Sequence, residues 1–200
     1  MIISGSSPTL YLDNIYFYKV PVPTSPPTAA PTPTAPAGSV ISLYSNAYPN
    51  AQVDTWSAPW DQADVADVQV AGNDMKKYSS VVFAGIEFTS KPIDATAMTT
   101  FHMDLWTPDA TALPKSFRIK LVDFGANGTF DGGDDSEHEV TVNASSTPPL
   151  ATGSWVGIDI PLAAFTGLKA RAHLAQMILV GDLQTFFIDN VYFSTTAKLT

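Results

Sequence analysis

Residues 185–195 read TFFIDNVYFST, and residues 9–19 carry the same pattern as TLYLDNIYFYK. Both copies place an aliphatic residue before Asp-Asn and follow it with an aliphatic residue and Tyr-Phe. Aromatic and β-branched residues in such short runs favour β-strands. A repeat in one register predicts that residues 185–195 form the last strand of a module. Residues 1–19 are then expected to be the terminal strand of a preceding, truncated module.

A proline-rich segment separates the earlier copy from the rest of the chain. Residues 20–38 read VPVPTSPPTAAPTPTAPAG, with seven prolines and no apolar periodicity. This composition is typical of an extended linker, which at ~3.1 Å per residue would span roughly 60 Å. The complete module is therefore expected over residues 39–200.

The module reads as short apolar runs divided by Gly, Pro, Asn and Asp. Only residues 162–174 suggest helical spacing, and the pattern predicts an all-β fold, an antiparallel β-sandwich of the jelly-roll type. The predicted strands lie near residues 40–44, 67–71, 76–88, 99–106, 116–124, 137–143, 155–161, 176–181 and 185–194.

Composition narrows the range of partners. The 200 residues carry a formal net charge of −9 and a pI near 4.5, which opposes binding to nucleic acid or to anionic membranes. Cysteine is absent, and no apolar run is long enough for a membrane span. Residues 1–20 lack the features of a signal peptide. We expect a secreted, extracellular protein whose signal lies upstream of Met1.

Alternation along three strands predicts one face rich in tryptophan and polar groups. Every second residue of residues 101–106, 117–122 and 155–160 is apolar and is assigned to the core. The core set is Phe101, Met103, Leu105, Phe117, Ile119, Leu121, Val156, Ile158 and Ile160. The outward set is His102, Asp104, Trp106, Arg118, Lys120, Trp155, Gly157 and Asp159. If neighbouring strands align, one sheet exposes two Trp among charged residues.

Exposed Trp is unfavourable in water unless a partner covers it, and the face of a sugar ring is a suitable partner. Loop residues 54–62, DTWSAPWDQ, add two further Trp beside Tyr48. The alternative is that these indoles belong to the core and that the polar residues only solvate a sheet. The candidate sugar-binding residues are Trp56, Trp60, Trp106, Tyr48, Asp61, His102, Asp104, Arg118, Lys120 and Trp155.

Three stretches resemble a known family. They are VISLYSNAYPNAQVDTWSAPWDQ at residues 40–62, TFHMDLWTPDAT at residues 100–111 and IDNVYF at residues 188–193. They are similar to bacterial carbohydrate-binding modules found in tandem beside laminarinase- and lichenase-type glycoside hydrolases, with a galactose-binding-like jelly roll. The resemblance implies a β-glucan ligand with β-1,3 or β-1,4 linkages and carries Trp56, Trp60 and Trp106 over as binding residues.

Two places suggest calcium. Residues 123–137 hold clustered acidic side chains among glycines, and Ca²⁺ takes six to eight oxygen ligands. The candidates in this loop are Asp123, Asp131, Asp134 and Asp135, although the spacing does not match an EF-hand. An acidic turn that only keeps the loop soluble is the alternative. The resemblance places Asp189 near the structural calcium of related jelly rolls, where a turn-forming Asp-Asn pair is the alternative.

Catalytic signatures are absent: the sequence has no G-x-S-x-G elbow, no HExxH and no phosphate-cradling glycine loop. We therefore expect a non-catalytic module that holds an attached glycoside hydrolase, or a tandem module, on polysaccharide. A structural spacer or adhesion module is one alternative, and a glycoside hydrolase or lyase is another. The apolar strand at residues 10–18 is expected to seek a sheet edge and could give a strand-swapped homodimer.

Overall fold

The computed structural model describes residues 2–6 and 9–195. Its nine strands run antiparallel, and the described residues contain only two helical turns, both of the 3₁₀ type, at Ala37–Ser39 and Leu162–Ala164. The predicted helical spacing over residues 162–174 is wrong beyond that second turn, because the backbone returns to a strand at Leu174. The strands are β1 Val40–Tyr44, β2 Gln62–Val70, β3 Asn73–Glu87, β4 Thr100–Trp106, β5 Ser116–Asp123, β6 Ser136–Asn143, β7 Val156–Pro161, β8 Leu174–Gly181 and β9 Phe186–Ser194.

One long strand joins the two halves of the sheet. The strand order is β6-β5-β8-β3-β9-β4-β7, with β1 beside β9 and β2 beside β3. The first part of β3 pairs with β9, whereas residues 83–87 pair with β8. Between the two parts, Ser80 has a φ of 56°, which interrupts the extended backbone. The sheet therefore curls into two layers, and the predicted antiparallel sandwich is confirmed.

The apolar core fills the space between the two layers. Alternate residues of β4, β5 and β7 enter it as the sequence predicts, and all nine side chains assigned to the core are buried there. The outer face of the β6-β5-β8-β3 half is here called the front face, and that of the β3-β9-β4-β7 half the back face. Burial of this apolar area is the main force that holds the layers together.

Residues 9–36 contain no strand, and their two halves differ in their surroundings. The aromatic and aliphatic side chains of residues 10–18 are exposed. Residues 26–36, here called the strap, lie along the back face. Three backbone carbonyls of the strap, those of Thr28, Pro31 and Ala35, accept hydrogen bonds from side chains of the module. No helix among the described residues is long and apolar enough to cross a membrane.

Candidate functional site

A cleft of about 520 Å³ opens on the front face, and Trp60 lies on one side of it. Trp60 is 43% exposed and Phe130 is 61% exposed, so both present ring surface to solvent. Strands β3, β5 and β8 form the floor between them. This region is here called the Trp60 cleft, and its lining residues are Trp60, Glu87, Thr89, Lys120, Phe124, Phe130, Glu137, Gln176 and Ile178.

Gly85 is what allows the Trp60 indole to rest on the sheet. A Cβ at Gly85 would collide with the six-membered ring of Trp60, so only glycine leaves space for the ring at this point of β3. The ring stacks at 6.2 Å from Phe83, with an interplanar angle of 19°. Its Nε1–H donates to Oε1 of Glu87 at 3.0 Å. The indole is thus held flat against β3 with one face toward the solvent.

Asp61 fixes the loop that carries Trp60. Its Oδ2 accepts the backbone N–H of Gly85 at 2.9 Å, and its Oδ1 accepts the hydroxyl of Ser57 at 3.0 Å. The backbone N–H of Ala58 also donates to the Gly85 carbonyl. Asp61, a predicted binding residue, therefore positions Trp60, because both of its carboxylate oxygens accept hydrogen bonds from the protein.

The floor of the cleft is a row of hydrogen-bonding side chains. Oε1 of Glu87 accepts hydrogen bonds from both Trp60 and Gln176, each at 3.0 Å. One strand further across the sheet, Nζ of Lys120 lies 2.7 Å from Oε1 of Glu137. Neighbouring strands bring these groups together because Gln176 is the register partner of Glu87, and Ile178 that of Lys120. Amide, ammonium and carboxylate groups then face one opening.

Arg118 lies next along the same strand as Lys120. It pairs with Glu139 across the sheet, with 2.8 Å between the guanidinium Nη1 and Oε1 of the carboxylate. Both predicted basic residues therefore share the front face with Trp60. Lys120 lines the cleft itself, whereas Arg118 does not.

Phe130 projects from the glycine-rich loop at residues 124–135. Its ring lies 5.6 Å from that of Phe124, which packs with Val122 and Ala175. The acidic residues of the loop hold its shape: Asp134 Oδ2 accepts the backbone N–H of Ala126 at 2.8 Å. Phe130 is not among the residues predicted from the sequence, although a large aromatic residue in a glycine-rich loop is a signal that could have identified it.

The acidic residues of this loop do not gather into one cluster. Asp123 is fully buried, and its two carboxylate oxygens accept the backbone N–H groups of Gly125 and His173. Asp135 accepts the backbone N–H of Asp131. Among residues 2–6 and 9–195, no group of three or more His, Asp or Glu side chains is placed to hold a metal ion. These carboxylates accept backbone N–H groups and so stabilise turns of the loop.

The expectation that Trp106 and Trp155 share a face with Arg118 and Lys120 is wrong. Strands β4 and β7 belong to the back half and β5 to the front half, so alternation directs these side chains to opposite outer faces. Trp106 is fully buried against Met75 and Phe187. It presents no ring face to solvent, which corrects its assignment as an exposed stacking residue.

The strap and the loop after β1 cover much of the back face. Nε1–H of Trp155 donates to the Thr28 carbonyl at 3.0 Å, and the Tyr48 hydroxyl donates to the Ala35 carbonyl at 2.8 Å. The Tyr48 ring packs edge to face on Tyr192. Tyr48 therefore lies on the back face, away from Trp60, which corrects its prediction as a neighbour of the loop tryptophans.

His102 and Asp104 are buried on the back face rather than exposed as predicted. Nδ1 of His102 lies 2.7 Å from Oδ1 of Asp159, and the His102 ring stacks on Tyr192. Burial alone would lower the pKa of His102, but the neighbouring carboxylates of Asp104 and Asp159 outweigh burial and raise the pKa above its ordinary value. The imidazolium form is therefore stabilised between two carboxylates.

Asp104 and Asp189 form a buried acidic pair. They are register partners on β4 and β9, and each is nearly inaccessible to solvent. Burial, together with the charges of Asp104 and Asp74, raises the pKa of Asp189 to about 6, although hydrogen bonds from Asn73 and Asn190 oppose the rise. Oδ1 of Asp104 makes no hydrogen bond within the described residues, although it lies 3.5 Å from Nε2 of His102.

Trp56 lies apart from Trp60, against the core. Its ring packs edge to face on Tyr44 at 5.4 Å, and Nζ of Lys76 lies 5.3 Å from the ring centroid. The carbonyl of Trp56 accepts the buried Tyr78 hydroxyl. Trp56 is partly buried beside Tyr44, whereas Trp60 rests on Gly85 of β3, so the two loop tryptophans do not share one surface.

The fold has known counterparts among solved structures. A family 30 carbohydrate-binding module matches with a TM-score of 0.57 and 10% identity, over 80% of this chain and 90% of that one. This is the fold of carbohydrate-binding modules. The family 30 module of the cellulosomal cellulase Cel9D-Cel44B of Clostridium thermocellum gives 0.56 and 11%, over 80% of this chain and 99% of that one.

A family 11 carbohydrate-binding module, from the cellulosomal cellulase Lic26A-Cel5E of Clostridium thermocellum, has a TM-score of 0.55 and 12% identity. The match covers 80% of this chain and 96% of that one. No sequence-family model matches the chain, and no curated protein matches it in sequence. At 10–12% sequence identity, the similarity to these structures shows the fold alone. It confirms the carbohydrate-binding-module fold that the sequence resemblance implied.

Proposed function

We propose that this protein is a non-catalytic carbohydrate-binding module and that the Trp60 cleft binds the sugar. The observation that carries the proposal is Trp60, which is 43% exposed, held flat over Gly85 and set beside a polar floor. A pyranose ring would stack on the indole face through its C–H groups. Its hydroxyls would then meet Gln176, Lys120 and Glu137 on the floor.

The ligand we propose is a β-glucan. Alternating faces of a β-linked chain expose C–H groups to an aromatic ring, and Trp60 and Phe130 offer rings at the cleft. Two structures of similar fold are described as modules of cellulosomal cellulases, which supports this ligand class. We also propose that the parent protein is secreted and that the module holds an attached glycoside hydrolase, or a tandem module, on its substrate.

Affinity electrophoresis of the full chain tests the ligand class. The gels would contain laminarin, lichenan or xyloglucan, with mannan and a ligand-free gel as references. Retardation in at least one β-glucan gel, without retardation in mannan, is expected. Equal mobility in every gel would overturn the proposal, because a stacking site for β-glucan must retard the protein in one of them.

Absence of catalysis is part of the proposal. Glu87 and Glu137 both line the cleft, but Glu87 accepts two side-chain hydrogen bonds and Glu137 pairs with Lys120. A glycosidase needs one carboxylate to protonate the leaving group and another to attack or to activate water. Incubation with the retarding glucan should release no reducing ends and no unsaturated products. Steady release of either by wild type but not by Glu87→Gln would replace the binding-module proposal with the hydrolase or lyase alternative.

We further propose a structural Ca²⁺ ion at Asp104 and Asp189. Two adjacent buried carboxylates repel each other, and a bound cation would neutralise both. The orphaned Oδ1 of Asp104 and the raised pKa of Asp189 fit such an ion. Nδ2–H of Asn73 donates to Asp189 Oδ2, and Nδ2–H of Asn190 donates to Asp104 Oδ2, so two amide side chains border the same buried carboxylates.

A further inference from the structure

The Asp-Asn pair at residues 13–14 repeats a local backbone feature of β9 as well as its sequence. Asn14 has a φ of 52° and Asn190 has a φ of 50°. The backbone N–H of Asn14 donates to Oδ1 of Asp13 at 2.8 Å, and that of Asn190 donates to Oδ1 of Asp189 at 2.7 Å. A left-handed asparagine is uncommon, so both segments have the same interruption of the strand at the same position of the motif.

The two copies differ in what surrounds them. In β9 every residue is buried, with Ile188, Val191 and Phe193 in the core. In the first copy the equivalent Leu12, Ile15 and Phe17 are 54%, 53% and 100% exposed. Uncovered apolar side chains of this size are unfavourable in water, and burial in a sheet would remove that cost.

The position of β9 is one that residues 10–18 can reach. Strand β9 lies between β3 and β4 at its start, and between β1 and β4 at its end. Ser194, at that end, pairs with Val40 at the start of β1. If the first copy lay in this position, Tyr18 would take the place of Ser194 beside Val40. Residues 19–39 would then connect two adjacent strand ends, and the entropy cost of closing such a loop grows only slowly with its length.

We propose that residues 10–18 are an alternative last strand that can occupy the β9 position of a module of this sequence. Three core positions keep an apolar side chain, since Leu12 replaces Ile188, Ile15 replaces Val191 and Phe17 replaces Phe193. Exchange of one such strand for another leaves nearly every backbone hydrogen bond of the sheet in place. The module thus has two strands for one position, one at each end of the described chain.

Three side chains explain why β9 holds the position in this structure. Phe186 packs on the rings of Tyr78 and Phe117, contacts that Leu10 would lose. Phe187 is buried against Trp106, where the hydroxyl of Tyr11 would lack water. Ser194 is also buried, and the much larger Tyr18 would overpack its site. Wild type should therefore use β9, and the alternative strand should enter when β9 is weakened.

Paired substitutions in the full chain test the proposal. Ile188→Asp with Val191→Asp should disable β9, and the chain should still unfold cooperatively on heating because residues 10–18 replace it. Adding Leu12→Asp and Ile15→Asp to that variant should abolish the transition. The control is Leu12→Asp with Ile15→Asp in otherwise wild-type protein, whose melting temperature should not change. If the Ile188→Asp, Val191→Asp variant already lacks the cooperative unfolding transition while Leu12 and Ile15 are intact, the proposal is overturned.

Disulfide trapping adds a readout that is also available in the folded wild type. The chain has no cysteine, so two introduced thiols are the only ones present. Val40→Cys with Tyr18→Cys should cross-link in a minor fraction of wild type and in most of the β9-disabled variant. Val40→Cys with Ser194→Cys is the matched control that must cross-link in wild type.

The size of the cross-linked product identifies the acceptor. A monomer places the strand in the chain's own module, and a covalent dimer places it in a second copy; both support the proposal. Cross-linking of the Ser194 pair in wild type without any cross-linking of the Tyr18 pair, in either background, would overturn it.

Discussion

Replacement of Trp60 by alanine removes the ring on which the sugar is proposed to stack. Trp60 is 43% exposed. A tryptophan side chain offers roughly 250 Å² in all, so roughly 100 Å² is free for a ligand to cover. At ~25 cal/mol per Å², full cover is worth about 2.5 kcal/mol, which is about 70-fold in the dissociation constant. If the sugar covers half of that area, the dissociation constant should change about tenfold.

Isothermal titration with the glucan that retards the protein best measures this change. Trp60→Ala should weaken binding by between about tenfold and about 70-fold. The buried part of the ring packs on Phe83 and Gly85, so thermal stability should fall as well, and the titration is run at a temperature at which both proteins are folded. Phe17→Ala is the matched control, since it removes a fully exposed aromatic ring that does not line the cleft, and it should leave affinity unchanged. An affinity change of less than twofold for Trp60→Ala would refute the stacking argument.

Three further changes test other parts of the account. Gly85→Ala should displace the Trp60 ring, since its Cβ has no room, and should weaken glucan binding about tenfold in the same titration while the far-UV spectrum stays that of wild type. Trp155→Phe removes the hydrogen bond to the strap and should lower the free energy of unfolding in urea by about 1 kcal/mol, with glucan affinity unchanged; an affinity loss would place sugar on the back face. Addition of CaCl₂ should raise the melting temperature of wild type but not of Asp189→Asn, and an equal rise in both would move the ion elsewhere.

The strands were predictable because their signals are local. Alternation placed Phe101, Met103 and Leu105 in the core, and Pro or Gly-rich turns marked most strand ends. The largest departure is β2, which begins at Gln62 rather than near residue 67. Its early residues are mostly polar or small, and they pair with β3 although their own composition does not favour a strand.

The arrangement of the candidate site was harder to predict from the sequence. Alternation predicts which side of a strand a residue faces, but not which residues cover that side. Trp106 faces outward from β4 as the pattern predicts, yet it is sealed against Phe187 and Met75. The proline-rich residues assigned to a free linker include the strap, whose carbonyls bind Trp155 and Tyr48. The contact between Trp155 and Thr28 joins residues 127 positions apart, and the composition of a segment does not predict such a contact.

The order of the strands decided which predicted residues meet. Trp60, Lys120 and Arg118 share the front face because β3, β8 and β5 are neighbours there. The same order sends Trp155 and Asp104 to the back. Without knowledge of strand order, the sequence could identify aromatic and charged candidates but could not separate one cleft from the opposite face.

Indole N–H signals in a two-dimensional nitrogen–proton spectrum test the central claim most directly. The chain has four tryptophans, and their four signals are assigned by single Trp→Phe substitutions. Titration with an oligosaccharide of the retarding glucan should shift the Trp60 signal, whose N–H donates to Glu87 in the cleft, and leave that of buried Trp106 in place. A saturable shift of Trp155 or Trp56 with Trp60 unmoved would contradict the assignment of the sugar to the Trp60 cleft.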